Sequence, residues 1–265
     1  MNASAGHSDG TVGKALDVLD AVALAGRPVK FAELLAEGRW PKATLYRLLQ
    51  TLTNQGMLAL DPDTGAYTPG LRLVSLAHKA WSQTSIAPVA RPSLDALSAK
   101  LGQTVHLAQL DHGQVLYVDK RNAHKPIEMF SGTGKVGPAY CTGVGKAMLA
   151  FLADAELAAA LKAQAYQRHT PATHTSADSL RTELSEIRET GLSFDREEHE
   201  PGIFCVAAPI LGLAGNPLGA LSITSSTLQH ELKDLAALAP DLKATASEIA
   251  ARLQPWANPI PAEEA

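Results

Sequence analysis

Residues 31–67 contain the pattern that most restricts how this chain can fold. They read FAELLAEGRWPKATLYRLLQTLTNQGMLALDPDTGAY. Apolar residues at helical spacing predict two short helices, Phe31 to Ala36 and Lys42 to Asn54, separated by Gly38. An apolar hairpin follows, with the turn DPDTG at its tip. Two short helices, a tight turn and a hairpin in this order are typical of a winged helix-turn-helix.

The charge of this region supports the same interpretation locally. The whole chain has a formal net charge of -4, which does not indicate binding to nucleic acid. Between Gly38 and Asn54, however, there is no acidic residue, whereas Arg39, Lys42 and Arg47 all occur. A local excess of basic residues on one helix is the pattern that contact with DNA phosphates requires.

A simpler alternative exists for the two helices taken alone. They could form an ordinary three-helix packing unit with a solvated basic face, which is the more frequent meaning of a lone helix pair. The hairpin directly after the second helix favours the DNA-binding interpretation, because a wing is the element expected there.

The second helix of a helix-turn-helix enters the major groove with its early residues facing base edges. Leucines from Leu45 to Leu52 occupy one side of this helix, so the polar side chains of the other side are available for DNA. We expect Arg47 to pair with guanine or phosphate, and Arg39 and Lys42 to contact phosphates. The predicted DNA-binding residues are Arg39, Lys42, Thr44, Tyr46, Arg47 and Gln50.

The rest of the chain indicates a second domain of a different kind. A helical pattern begins at Leu71 and is expected to run on past Ser85 as a connector. Strand patterns then alternate with helical ones: TVHLAQL and VLYVDKR flank the turn DHGQ, IEMF is a candidate third strand, and a long helix is predicted from Leu232 to Leu253. The predicted organisation is a mainly α winged helix-turn-helix at 8–70, a linker helix at 71–87 and an antiparallel α+β domain at 88–254.

Composition limits the class of protein. With 265 residues, of which 46% are hydrophobic and 19% charged, the chain can form two globular domains or one large one. It has no run of 18 apolar residues, and its amino terminus lacks the features of a secretion signal, so we expect a cytoplasmic protein that does not enter a membrane. Cys141 and Cys205 match no metal-ligand spacing, and neither a cofactor nor a metal is predicted.

Small and polar residues in the second domain suggest a binding site. Gly143 and Val144 open a helix, so their N–H groups have no helical partner and lie at the positive end of the helix dipole, which suits a carboxylate. Ser222 and Thr224 alternate along a strand and therefore share one face. Each observation also has an ordinary explanation, since a glycine is often only a cap and strand hydroxyls often pair with one another.

Two further polar residues are also compatible with either a binding role or an ordinary structural one. Asp195 is the last residue of the strand-like LSFD, and Cys205 lies in the apolar run IFCVAAPI. A cysteine in such a run usually fills the core, and a single aspartate is usually solvated.

Several segments together resemble the IclR-type family of bacterial transcriptional regulators. The first are GKALDVLDAVA and the run from LLAEGRWPKATLYRLLQ through the wing to GLRLVSLA; the later ones are GTGKVGPAYCTGVGKAMLA, FDREEHEPGIFCVAAPI and GALSITSS. The chain departs from the family at Ala43, where many members have serine, and at Gly132, where the loop often carries arginine. The first departure removes one possible phosphate contact, and the second means that ligand preference cannot simply be copied.

The resemblance implies a repressor or activator whose operator binding responds to a small organic-acid effector, controlling a catabolic operon. It implies a GAF/profilin-like effector-binding domain, and as partners double-stranded operator DNA, a small carboxylate effector and the chain itself in a dimer or tetramer. The effector-binding residues implied are Gly143, Val144, Asp195, Cys205, Ser222 and Thr224 at the polar end, with Met129, Phe130, Val136, Tyr140 and Met148 at the apolar end.

The position of Asp195 narrows the expected ligand. A carboxylate beside an acidic ligand is unfavourable unless it is protonated, accepts hydrogen bonds or faces a ligand hydroxyl. We therefore expect an acid that also carries a hydroxyl or keto group.

Two other functions compete with regulation. One is a thiol enzyme in which Cys205 is the nucleophile and His199 or His106 the base, although an apolar strand is a poor setting for a reactive thiol. The other is a metal site formed by His169 and His174, whose loop gives no particular ligand spacing.

Overall fold

The computed structural model describes residues 10–257, without the side chains of residues 82–84 and 255–257. The described residues form two compact units with a boundary between Thr84 and Ser85. Residues 8 and 9 of the predicted first domain lie outside the described range, and the predicted boundaries at 70 and 88 stay predictions. None of the described helices combines the length and the apolar character that crossing a bilayer requires.

The first unit consists of helices and a three-stranded sheet. Its elements are α1 (Gly10–Leu24), β1 (Val29–Lys30), α2 (Phe31–Ala36), α3 (Lys42–Asn54), β2 (Leu58–Leu60), β3 (Ala66–Pro69) and α4 (Leu71–Thr84). The strands pair antiparallel in the order β1-β3-β2, with Tyr67 opposite both Val29 and Leu60. The predicted winged helix-turn-helix is confirmed.

Helix α3 forms where the sequence predicts it because both of its ends are specified locally. Pro41 precedes it with φ −59° and ψ 141°, and the Pro41 carbonyl accepts the N–H of Leu45 at 2.9 Å. Gly56 follows at φ +69°, a left-handed conformation that costs glycine little. The apolar side of the helix is buried in the core of the unit through Leu45, Leu48, Leu49 and Leu52.

Helix α4 is attached to the first unit at its start. Nη1 of Arg72 donates to the carbonyl and side-chain oxygens of Gln55 at 2.8 and 2.9 Å, and Leu73 packs against the core. The helix ends at Thr84, so the predicted continuation past Ser85 is wrong. The Ser85 hydroxyl accepts the N–H of Ala87, which begins a new helix.

The second unit is an antiparallel α+β domain, as predicted. Its elements are α5 (Ala87–Leu101), β4 (Thr104–Asp111), β5 (Gln114–Arg121), β6 (Val136–Pro138), α6 (Gly143–Leu149), α7 (Asp154–Ala163), α8 (Ala177–Thr190), β7 (Ser193–Arg196), β8 (Ile203–Leu211), β9 (Pro217–Ser226), α9 (Leu232–Ala236) and α10 (Ala239–Ala257). The six strands are ordered β6-β5-β4-β9-β8-β7, and every neighbouring pair is antiparallel.

Two secondary-structure predictions for this unit are wrong. The segment IEMF is not a strand; the edge of the sheet is formed instead by β6, which pairs with Gln114 to Leu116. The long final helix is divided at residues 237–238 into α9 and α10. Pro240 explains the break, because it has no N–H to donate to the carbonyl of Ala236 in a continuous helix.

Replacing Leu49 by alanine should destabilise the protein strongly. Leu49 is fully buried on α3, so the change leaves a cavity and should lower the free energy of unfolding by about 2–5 kcal/mol. Leu60→Ala is the control: this leucine is 43% exposed, and its loss should cost less than about 0.5 kcal/mol. Urea denaturation of the full chain, followed by circular dichroism, compares the two. Equal effects would contradict the core position of Leu49.

Candidate functional site

The outer face of α3 carries most of the residues predicted to contact DNA. Lys42, Tyr46, Arg47 and Gln50 are exposed, and Thr44 is half-buried. They avoid the buried leucine side of the helix. The structure thus brings these five residues together on one accessible surface.

Arg39 precedes α3 and is partly engaged by its neighbours. Its guanidinium lies 4.6 Å from the centre of the Trp40 ring, and its Nη1 is 3.9 Å from Oε2 of Glu37. Both members of this ion pair are about half exposed, so the pair is weak. The guanidinium therefore keeps the freedom to turn toward a phosphate.

The strand register gathers the polar residues of the second unit on one face of its sheet. Asp195, Cys205 and Thr224 form one row across β7, β8 and β9. Ser222 belongs to the neighbouring row and pairs with His106 of β4. Side chains two residues apart on a strand point to the same face, so the two rows share it.

Helix α6 covers this face at very short range. A Cβ on Gly143 would lie 2.5 Å from Sγ of Cys205, so a side chain there would displace the helix from the sheet. The hydroxyl of Thr142 donates to the carbonyl of Pro138 at 2.7 Å and leaves the helix start without a side-chain cap. The N–H groups of Gly143 and Val144 are therefore donors at the face of the sheet, the first of them beside the Cys205 thiol.

A buried ion-pair network holds α6 against α8 and the loop that follows β7. The fully buried Lys146 ammonium lies 2.8 Å from Oε1 of Glu183 and 2.5 Å from Oε1 of Glu198. Nε2 of His174 lies 2.6 Å from Oε2 of Glu183. Burial alone would raise the pKa of Glu183, but the hydrogen bond with His174 and the Lys146 charge outweigh it and lower that pKa to about 2.

A pocket opens between the start of α6 and the polar rows of the sheet. The space between its lining atoms is about 380 Å³, counting the part that is open to solvent. It contains six of the predicted effector-binding residues and six others. The lining residues are Tyr117, Ser131, Thr142, Gly143, Val144, Asp195, His199, Glu200, Ile203, Cys205, Ser222 and Thr224.

The residues predicted for the apolar end lie elsewhere. Tyr140 and Met148 are buried in the hydrophobic core, where the Tyr140 hydroxyl donates to the carbonyl of Gln167. Met129 is half-buried and does not line the pocket. Phe130 and Val136 are exposed at 38% and 47% and do not line the pocket either.

Asp195 is a lining residue whose carboxyl group has a pKa near neutral pH. Burial raises its pKa to about 7, and the neighbouring Glu198 carboxylate adds to the increase. Oδ1 of Asp195 accepts the N–H of Glu198 at 2.8 Å, and Lys146 and His199 partly oppose the rise. A carboxyl group of this kind exchanges its proton near neutral pH.

His106 lies beneath the pocket and was considered from the sequence only as a catalytic base. It is 1% exposed, and burial, with a smaller contribution from Lys120, lowers its pKa to about 3, so its ring is neutral. Its Nδ1 faces the hydroxyls of Thr224 and Ser222, and its Nε2 faces that of Ser131. The alternation in TVHLAQL could have revealed that His106 shares a face with Thr104.

Glu200 and His199 were also missed as pocket residues. The Glu200 carboxylate accepts the N–H of Phe130, with Oε1 at 2.9 Å, and the His199 ring contacts the edge of the Phe130 ring. The sequence signal was weak, because both residues follow β7 in an irregular loop and meet segment 122–135 only after folding.

The geometry opposes both competing functions. Burial, with the nearby Asp195, raises the pKa of the Cys205 thiol, and Nδ1 of His106 is paired with hydroxyls. His169 packs against aromatic rings, while His174 pairs with Glu183. Neither a thiolate–imidazole pair nor a two-histidine metal site is therefore formed by these residues.

Known protein families and relatives match this chain over nearly its whole length. The family model for the IclR helix-turn-helix domain matches residues 11–62, and the one for the IclR C-terminal domain matches residues 78–251. The transcriptional regulator XynR of Escherichia coli K12 is 33% identical over 226 residues, which cover 85% of this chain and 90% of that protein. KdgR of the same organism is 30% identical over 227 residues, covering 86% of each.

Solved structures give the same result. The crystal structure of IclR from Thermotoga maritima is 30% identical, with a TM-score of 0.75, and the match covers 92% of this chain and 98% of that one. An IclR homolog from Microbacterium hydrocarbonoxydans, complexed with 4-hydroxybenzoate, shares the fold with a TM-score of 0.79 at 21% identity, over 92% and 99% of the two chains.

These relatives are named transcriptional regulators and not enzymes, which rejects the thiol-enzyme hypothesis. The helix-turn-helix match identifies the first unit as a DNA-binding domain. The predicted family, fold class and regulatory role are confirmed. The chain belongs to the IclR family of bacterial transcriptional regulators.

Proposed function

We propose that this regulator reads its operator through the exposed face of α3 and that a small organic acid in the polar pocket modulates DNA binding, controlling a catabolic operon. The observation that carries the proposal is the convergence of backbone donors, hydroxyls and a protonatable carboxyl on one small cavity. An effector acts by favouring one conformation of the regulator over another, so its affinity must differ between them.

The pocket chemistry supports an acid with a second oxygen function. The N–H groups of Gly143 and Val144 offer hydrogen bonds to the ligand carboxylate. At the sheet, the hydroxyls of Ser222 and Thr224 are suited to a hydroxyl or keto oxygen. Asp195 accommodates the anion in its protonated form, in which it donates a hydrogen bond instead of repelling the ligand.

Helix α4 supports self-association, as a dimer or as a tetramer. Leu71 and Val74 are 87% and 66% exposed and lie about one turn apart on the same side of the helix. Large apolar side chains in such a group favour burial against another surface. A symmetric dimer would place two α3 helices on an inverted repeat, with half-sites about one helical turn apart.

Arg47→Ala should weaken specific DNA binding by about tenfold or more. The change removes an exposed guanidinium from the middle of the reading face, and one good base contact contributes about 1–3 kcal/mol to discrimination. Gel-shift titration against the intergenic region upstream of the chain's own gene measures the effect, and wild-type binding should weaken steeply with salt.

Arg181→Ala is the matched control for this experiment. Arg181 is also exposed, but it lies on α8 of the second unit. The control should bind DNA like the wild type. Tight binding that survives Arg47→Ala would show that α3 is not the reading helix in the assigned orientation.

Ser222→Ala should weaken effector binding by about tenfold, because the site loses a hydroxyl that would pair with the ligand. Ser225→Ala is the control on the same strand: Ser225 points to the other face and its hydroxyl pairs with Nδ1 of His230 at 2.8 Å. Calorimetric titration with a panel of small hydroxy and keto acids measures both. No binding by any member, or equal losses in the two variants, would contradict the proposed site.

Effector affinity should rise as the pH falls. The pKa of Asp195 is about 7, so the fraction protonated increases about tenfold between about pH 8 and pH 6, while a typical carboxylic acid stays ionised. Protonation removes a repulsion, and affinity should increase by up to the same factor. In Asp195→Asn the carboxamide cannot ionise, and the dependence should flatten.

The same calorimetric titration at several pH values decides the origin of this effect. Other ionisable side chains also line the pocket, His199 among them. A slope that persists unchanged in Asp195→Asn would assign the effect to another group and contradict the role given to Asp195.

A further inference from the structure

Both ring nitrogens of His106 lie within hydrogen-bond distance of side chains that line the pocket. Nδ1 lies 3.2 Å from the Thr224 hydroxyl and 3.4 Å from the Ser222 hydroxyl, both on β9. Nε2 lies 2.9 Å from the hydroxyl of Ser131. The ring edge also packs against Tyr117, with the ring centres 5.5 Å apart. His106 therefore connects the floor of the pocket to segment 122–135.

Segment 122–135 has neither helix nor strand, and its middle is held by a few polar contacts around Ser131. Besides the bond to His106, the carbonyl of Ser131 accepts from Nζ of Lys120 at 3.0 Å. The N–H of Phe130 donates to the carboxylate of Glu200. The ends of the segment are also held by hydrogen bonds with Gly102, Thr104 and Tyr117. A change at Ser131 should therefore alter solvent exchange mainly in the middle of the segment.

The neutral ring makes the two sides of His106 interdependent. A neutral imidazole has one N–H donor and one acceptor nitrogen. If Nδ1 accepts from a hydroxyl of β9, then Nε2 must donate to Ser131. If a ligand oxygen captures the hydrogen of those β9 hydroxyls, Nδ1 is free to donate instead and Nε2 becomes the acceptor for Ser131. Occupation of one side thus sets the direction of the hydrogen bond on the other.

We propose that His106 is a specificity-determining residue that favours effectors with a hydroxyl or carbonyl oxygen toward β9, and that its bond to Ser131 transmits this occupancy to segment 122–135. The inference rests on the proposed effector function of the same pocket. The buried hydroxyls of Ser222 and Thr224 already contact His106 and each other, so a ligand without that oxygen gains no hydrogen bond from them and binds less well.

Two conservative variants test the contacts of the two ring nitrogens of His106 one at a time. The amide of His106→Asn reaches the position of Nδ1 and loses the contact with Ser131. The longer His106→Gln reaches the position of Nε2 and loses the contacts with Ser222 and Thr224. His112→Gln is the control, because the side chain of His112 is 96% exposed on the β4–β5 turn.

The first arm requires no ligand. Hydrogen–deuterium exchange of the full chain should be faster in segment 122–135 of His106→Asn, by about threefold or more, and close to wild type in His106→Gln and His112→Gln. Circular dichroism establishes that each variant is folded. Equal exchange in folded His106→Asn and wild type would overturn the connection to Ser131.

The second arm measures specificity with matched acids, 4-hydroxybenzoate against benzoate and lactate against propionate, by calorimetry. The wild type should prefer the hydroxylated member of at least one pair by about tenfold. His106→Gln should reduce that preference to about threefold or less, whereas His106→Asn should keep it.

The two arms distinguish the failure of this inference from the failure of the proposed function. Binding of both members of each pair with equal affinity would overturn the specificity role while the effector function stands. An unchanged preference in His106→Gln would overturn it as well. Absence of binding by all four acids would count against the proposed small-acid effector, and the exchange experiment would still decide the connection from His106 to Ser131.

Discussion

The ammonium of Lys146 is completely buried, and the geometry of the pocket follows from how its charge is neutralised. An unpaired charge in the interior costs several kcal/mol, so Glu183 of α8 and Glu198 after β7 must both stay within hydrogen-bond distance of it. These contacts hold α6 against the loop that follows Asp195. Because the N–H of Glu198 also donates to Asp195, one residue positions both the helix start and the protonatable carboxyl of the pocket wall.

The DNA-binding unit could be predicted from the sequence because local signals specify it. Pro41 and Gly56 define the ends of α3, and its leucines repeat at helical spacing. The errors arose where tertiary structure or a single backbone group decides. Nothing local in IEMF shows that β6 takes the sheet edge instead. The last helix is divided because Pro240 has no N–H to donate. The apolar pattern alone predicts one continuous helix there.

The candidate site was predictable only in part, and for similar reasons. Strand alternation and an uncapped helix start are visible in sequence, and they pointed to Ser222, Thr224 and Gly143. Strand register is not visible, and it is register that places His106 opposite Ser222. Glu200 and Ser131 reach the pocket from irregular segments, which have no periodicity to interpret. Met148 was misplaced because a helix that borders a pocket also has a core side.

The charged residues of the pocket lining affect which small acids the proposed effector site could hold. Two of its side chains, Asp195 and Glu200, are acidic, and no lysine or arginine occurs among the described lining residues. Backbone donors can satisfy one carboxylate, but a second or third negative charge on a ligand would enter without a counterion, at a cost that increases with each charge. At the proposed effector site, this lining would favour monoanions over phosphorylated sugars and polycarboxylates of similar size.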